Sequence, residues 1–357
     1  MKILYIVMKY NMGHPEQGFS YEHYNFYDSL KKMQNGKHEI IYFPFDEIML
    51  KVGKEKMNSL LIDKVKEEKP DLCFFELITN QIKPETIRKI TRSGKTITYN
   101  WFTDDEWRFE MFSKHYAPLF DWVSTTDFKA IVKYRKTGYK NVIKTEWACN
   151  NFLYKPDMFK LHKKFEHDVS FIGKAYGNRP YLIDMIKNAK INVEAWGGGW
   201  PNGRISQKEM VRLFHQSKIN LNLSKASKNL SLTYLLGVLF NRDITNEVHI
   251  NSPNEWIPRI KFLVNEPVGQ IKGRVFEISG CREFLLTEYT DKLENYYVDG
   301  KEIAIFKNER ELIQKIEYYL NEEKERTSIA DAGYKRTMKE HTYEKRFRDI
   351  FNQIGLN

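Results

Sequence analysis

The chain has 357 residues, 41% of them hydrophobic and 29% charged, with a formal net charge of +10. That length exceeds one ordinary core and suits two domains, whereas no apolar run approaches the roughly 20 residues of a membrane helix and no signal-peptide pattern is present. Cys73, Cys149 and Cys281 are too few and too scattered for a disulfide framework or a metal knuckle, so a cytoplasmic setting is expected.

In chain order, Lys2–Met8 reads as a buried strand. The loop after it, from Lys9 to Ser20, holds Gly13, His14 and Gly18. Its glycines permit close approach of a ligand, and His14 is a candidate for proton transfer or sugar contact, against the ordinary reading of a solvated loop histidine. Ser20–Lys32 reads as a helix, Glu39–Phe43 as a strand and Asn58–Glu68 as a helix, and Asp71–Leu77 and Thr96–Trp101 continue the strands. The run Tyr99-Asn-Trp-Phe-Thr103-Asp104-Asp105-Glu106 then closes a strand with carboxylates. A carboxylate at the C-terminal end of an α/β strand faces the ligand crevice, which makes Asp104 a candidate general base. A metal-binding acidic motif and, for Asp105, a helix cap are the competing readings. Asp121–Ser124 follows as a further strand.

The alternation breaks at Asn150–Pro156 and a polar stretch runs through Lys164, which sets the expected boundary. We expect one domain over residues 1–155, a second over 165–340, and a last helix over 341–357. Such βα alternation predicts two parallel sheets covered on both faces.

Val169-Ser-Phe-Ile-Gly173-Lys174-Ala-Tyr-Gly177-Asn178-Arg179-Pro180 is a strand, a glycine turn and a helix start. Anions settle on free amides at such turns, with Gly173 admitting close approach and Lys174 and Arg179 adding charge. Trp196-Gly-Gly-Gly-Trp200 ends the next strand. Trp196 or Trp200 is a candidate to stack on a nucleobase, with buried packing as the alternative. Ile219–Leu223 is a strand and Leu230–Phe240 reads as helical, whereas residues 241–266 carry mixed signals. Arg274 and Glu277 are three apart and share one helical face, with Gly280 and the strand Phe284–Thr287 behind them. A guanidinium fork suits a pyrophosphate and a fixed carboxylate suits a cis-diol, although an ion pair on a solvated helix uses the same two residues. Two final helices show clear periodicity, through Leu312, Ile316 and Leu320 and through Phe347, Ile350, Phe351 and Ile354.

The Arg-Val-Phe-Glu helix with Gly280, the Phe-x-Gly turn with Arg179, and the tail from Ser328 to Tyr343 resemble CgeB-like chains among the two-domain (GT-B) glycosyltransferases. Phe102-Thr103-Asp104 and Arg-Val-x-Glu are also similar, in the same order, to motifs of phage DNA β-glucosyltransferase. The resemblance implies two Rossmann-like domains facing a cleft, with the last helix crossing back to the first. It implies that Arg274 meets the donor diphosphate beside Gly173, Lys174 and Arg179, and that Glu277 accepts from the ribose hydroxyls. Asp104 would be the base of a metal-independent, inverting transfer from a nucleotide-diphosphate sugar, with no other cofactor. The acceptor is open: a glycan, a protein, a lipid-linked glycan or modified DNA. The basic balance adds an expected peripheral contact with anionic membrane. A nucleotide-sugar epimerase and a non-catalytic polyanion-binding protein are the alternatives. Residues 224–267 depart from the family pattern and read as an insertion.

Overall fold

The computed structural model describes residues 1–156, 165–225, 232–242, 248–253, 256–257, 259–260 and 269–356. The chain forms two compact units: Met1–Glu146 with Leu230–Asn265 and Tyr343–Asn357, and Trp147–Asn229 with Glu266–Thr342. The second unit thus begins at Trp147, eighteen residues before the expected 165, because the segment after it is tied there: Cys149 N–H donates to the His341 carbonyl at 2.9 Å. Residues 230–265 group with the first unit, although their sequence position suggested the second. Positions 157–164 of the expected linker and parts of 226–268 lie outside the described residues.

The first unit is built on a parallel sheet of β1 (Lys2–Ile6), β2 (Glu39–Phe43), β3 (Leu72–Phe75), β4 (Ile97–Phe102), β5 (Trp122–Thr125) and β6 (Val142–Lys144). Its order is β2-β1-β3-β4-β5-β6, so the winding direction reverses between β1 and β3. Both faces are covered, which is why β1 and β3 read as continuous apolar runs. On one face Leu4, Ile6, Cys73 and Phe75 pack with Leu61, Ile87 and Ala130 from the helices Phe45–Glu68, Pro84–Arg92 and Phe128–Lys136. On the other, Tyr5, Phe74 and Trp101 form an aromatic layer. The C-terminal helix Tyr343–Gln353 returns to this layer: Phe347 lies 5.8 Å from Phe74 and 6.2 Å from Trp101, and the Tyr343 and Tyr21 hydroxyls are 2.9 Å apart. The apolar stripe of that helix is therefore explained by what it covers.

The helix expected over Ser20–Lys32 is present, with a π-helical stretch His23–Tyr27 running into the α-helix Asp28–Lys32. That expected over Asn58–Glu68 is the second part of Phe45–Glu68. The edge strand β6 and the helices Pro84–Arg92 and Phe128–Lys136 had escaped the pattern, being short or mixed in charge.

The second unit carries β7 (His167–Ile172), β8 (Val193–Trp196) and β9 (Ser217–Asn222). A small antiparallel hairpin in the first unit, β10 (Phe240–Arg242) with β11 (Val248–Ile250), precedes the remaining strands. These are β12 (Leu285–Glu288) and β13 (Ala304–Phe306), and the parallel order is β13-β12-β9-β7-β8. Here the reversal falls between β7 and β9. Val169, Phe171, Leu221 and Leu286 face helices Arg179–Asn188 and Glu309–Asn321 through Ile183, Ile186, Leu312 and Ile316. Ile172, Leu285 and Ile305 face helices Gln207–Gln216 and Gly273–Gly280 through Leu213, Phe214, Val275 and Ile278. No helix among the described residues is long and apolar enough to cross a membrane.

Candidate functional site

In open parallel sheets, ligands bind beyond the C-terminal strand ends where the strand order reverses. Each unit places charged side chains at that point.

In the second unit the turn after β7 and the loop after β9 flank the reversal. Arg179 opens the helix Arg179–Asn188 and joins the two loops, donating to the Lys174 carbonyl at 3.1 Å and the Leu223 carbonyl at 2.8 Å. Its guanidinium lies over the Phe171 ring at 5.6 Å. Burial lowers its pKa, the Glu288 carboxylate raises it, and the Arg274 cation lowers it. Glu288 ends β12 and accepts from the Lys225 N–H at 2.8 Å, and burial pushes its carboxyl above the usual range. The sequence reading passed over Glu288, although a carboxylate closing an apolar strand is the same signal that singled out Asp104.

Two amides of the β7 turn are engaged by the neighbouring glycine turn. Gly173 N–H donates to the Trp196 carbonyl at 2.8 Å, and Ala175 N–H to the Gly198 carbonyl at 2.9 Å. The two glycine turns lie against each other. Gly197 has φ +129°, and a Cβ there would sit 2.3 Å from the Gly173 carbonyl oxygen, so only glycine fits. Arg179 and Lys174 bring side-chain charge to the same turn. Of the two readings of Trp196, the structure shows the packing one: its ring is in the core with Ile172 and Met210, 8% exposed, with an edge contact to His167. Trp200 donates its Nε1–H to the Gly173 carbonyl at 2.7 Å and meets the edge of Phe171.

Arg274 and Glu277 lie on the helix Gly273–Gly280 and pair through Arg274 Nη1 and Glu277 Oε2. This is not a solvated surface pair: the Glu277 side chain is 1% exposed and that of Arg274 24%. Arg274 lies over the Phe214 ring at 5.5 Å. Tyr154 donates its hydroxyl to Glu277 Oε1 at 2.8 Å.

In the first unit, Asp104 stands two residues past β4 in the left-handed region, φ +59°. Aspartate is among the few residues that tolerate it, and such positions concentrate at functional sites. Its side chain makes no capping hydrogen bond. Asp105 is no cap either: it is buried and accepts from the Tyr134 hydroxyl at 2.7 Å. His14, in the loop after β1, has Nδ1 3.3 Å from Glu16 Oε1.

Three further charged residues that the sequence reading missed belong with Asp104: Glu76, Glu22 and Arg108. Glu76 directly follows β3, is 1% exposed, and its Oε2 is buried without a hydrogen-bond partner among the described residues. Burial pushes its carboxyl well above the usual carboxylate range. The charges of Glu22 and Asp104 push the same way, against the Arg108 guanidinium and the Thr103 hydroxyl. Glu22 is raised by burial and by Asp104. Arg108 lies over the rings of Trp107 and Phe112 at 5.0 and 5.4 Å; burial lowers its pKa, as does Arg259, while Asp104 and Glu76 raise it. The strand-end rule applied to the run Leu72–Phe75 would have found Glu76; Glu22 is brought in by the fold alone. Among the described residues no group of three or more His, Cys, Asp or Glu could hold a metal ion.

A raised carboxyl has a definite consequence for stability. Below the unfolded carboxyl pKa of about 4.3, both states hold the Glu76 proton and its contribution is fully present. As pH rises toward the higher folded value, only the unfolded chain releases the proton, and stability is lost. Glu76→Gln removes this penalty. We expect its melting temperature to exceed that of the native protein by a few degrees at pH 8, with the gap closing toward pH 5, as read by calorimetric scans across that range. A gap independent of pH would exclude Glu76 as its source.

A family model described as glycosyl transferase-like matches residues 240–352, the stretch that carries Arg274, Glu277 and Glu288. No curated protein matches the chain by sequence. Among solved structures, the chain is similar to Anabaena HepE in complex with UDP and glucose, with a TM-score of 0.60 at 10% identity over 99% of each chain. A glycosyltransferase from Rickettsia africae gives 0.59 at 9% identity, over 98% of this chain and 96% of that one. The lipopolysaccharide outer core galactosyltransferase WaaB gives 0.56 at 11% identity, over 99% of each. Matches of this length, across both parallel-sheet units, give the chain the two-domain GT-B fold.

Proposed function

We propose that the protein is a glycosyltransferase that moves a sugar from a nucleoside-diphosphate sugar to an acceptor hydroxyl. The observation that carries this reading is Arg179 joining the turn after β7 to the loop after β9 at the strand-order reversal of the second unit, together with the half-buried Arg274 paired to the buried Glu277 carboxylate one helical turn away. It is supported by the fold shared with HepE, whose structures hold UDP and UDP-glucose, and by the motifs that resemble CgeB-like chains and phage DNA β-glucosyltransferase.

In this reading the bond from the anomeric carbon to the diphosphate oxygen breaks, and the electron pair leaves with the diphosphate. Arg179, Arg274 and Lys174 neutralise that developing charge, so no metal is required for it. The acceptor oxygen forms the new bond to the anomeric carbon while its proton passes to Asp104. A single displacement of this kind inverts the anomeric configuration. The acceptor is a hydroxyl of a glycan, a protein, a lipid-linked glycan or modified DNA.

The test is thermal shift with UDP, GDP and dTDP. A ligand that binds only the folded protein at a hundred times its dissociation constant stabilises by about 2.7 kcal/mol, and a rise of several degrees is expected with at least one nucleotide. If none of the three moved the melting temperature, the reading would fail.

A further inference from the structure

Glu277 is held from behind by a chain of donors that no motif marks. Tyr154 is fully buried, and its hydroxyl lies 2.8 Å from Glu277 Oε1. The Nε2 amide of Gln207, in the first turn of the helix Gln207–Gln216, donates to that same hydroxyl. A tyrosine hydroxyl has one hydrogen, and with Gln207 donating into its oxygen that hydrogen goes to the carboxylate. The chain therefore has a direction, from Gln207 through Tyr154 to Glu277.

Its support is rigid. Tyr154 N–H and Leu153 N–H donate to the Asn150 carbonyl at 2.9 and 3.0 Å, and Phe152 N–H donates to Asn150 Oδ1 at 3.0 Å. The segment presses against the helix that carries Glu277. A Cβ on Gly280 would lie 2.2 Å from Cys149 Sγ and 3.4 Å from Tyr154 Cβ. Burial pushes the Tyr154 hydroxyl well above the usual phenol range, as does the Glu277 charge, so it stays a donor at any working pH.

We propose that Tyr154, oriented by Gln207, is a positioning residue that keeps Glu277 from closing on Arg274 and so leaves it free to accept from a ribose diol. Arg and carboxylate readily form a two-bond fork. Here Arg274 takes Oε2 while Tyr154 holds Oε1. A carboxylate has about four acceptor positions, so roughly two remain for the two ribose hydroxyls. Without the Tyr154 hydroxyl, the carboxylate can rotate into the fork and becomes less available to the ribose hydroxyls.

The inference rests on the donor-site reading above. Its test compares a nucleoside diphosphate with its 2′,3′-dideoxy analogue by calorimetric titration, starting with UDP and dideoxy-UDP. The native protein is expected to prefer UDP. Tyr154→Phe should weaken UDP about tenfold, the effect of a hydrogen bond to a charged group, while leaving the dideoxy analogue unchanged. Gln207→Met should act in the same direction with a smaller effect, and it serves if Tyr154→Phe does not fold. Equal weakening of both ligands would mean a merely structural role and would overturn the proposal. So would an unchanged preference in Tyr154→Phe, or the absence of any preference in the native protein. If the native protein bound no nucleoside diphosphate at all, the donor-site reading would fall first and this one with it.

Discussion

Asp104→Asn is expected to bind nucleotide as the native protein does and to lose turnover by on the order of a hundredfold or more. The amide keeps the shape of the side chain but cannot take the acceptor's proton. The residue stands beyond the C-terminal end of β4, in a left-handed conformation, with no capping role for its side chain. Its charge acts on the partly buried Glu22 and Arg108 and on the buried Glu76. The donor cations belong to the second unit, so nucleotide affinity should be untouched and the loss should appear in kcat alone. Product analysis adds an independent arm, since direct displacement inverts the anomeric carbon. Normal turnover in Asp104→Asn, or retention of configuration, would remove Asp104 from the role of base while leaving the fold in place.

What the sequence made legible was the alternation, because parallel strands covered on both faces leave uninterrupted apolar runs such as Ile3–Ile6 and Leu72–Phe75. Short edge strands escaped it: Val142–Lys144 and Ala304–Phe306 have three residues each, too few for a period to register. At the site, residues carried by local turns were found where they stand, as with Arg179 at a helix start and Asp104 after its strand. What packing decides was not legible: the Gly173 amide donates to the Trp196 carbonyl across two touching glycine turns, and the Trp196 ring lies in the core. Residues that act from a distance in sequence were invisible for the same reason. Tyr154 is 123 positions from Glu277, and no local pattern joins them.

Glu277→Ala is expected to abolish most of the stabilisation by nucleotide. Losing hydrogen bonds between ribose and a charged group costs roughly 1.5–3 kcal/mol, or about ten- to a hundredfold in affinity. The substitution also frees Arg274 and leaves the Tyr154 hydroxyl buried without its acceptor, so the unliganded protein should itself melt lower. The two effects are separable. Glu277→Gln keeps the volume and can still accept from Tyr154, so its unliganded melting temperature should lie closer to native. Its amide is a weaker acceptor for the ribose hydroxyls and can donate where the native group only accepts, so nucleotide affinity should still fall. Calorimetric titration of both variants decides the matter. If Glu277→Gln bound UDP, GDP and dTDP as tightly as the native protein, Glu277 would be a structural partner of Tyr154 and Arg274 and not part of the donor site. If both variants lost affinity while only Glu277→Ala lost stability, the carboxylate would be serving the ligand as well as the fold.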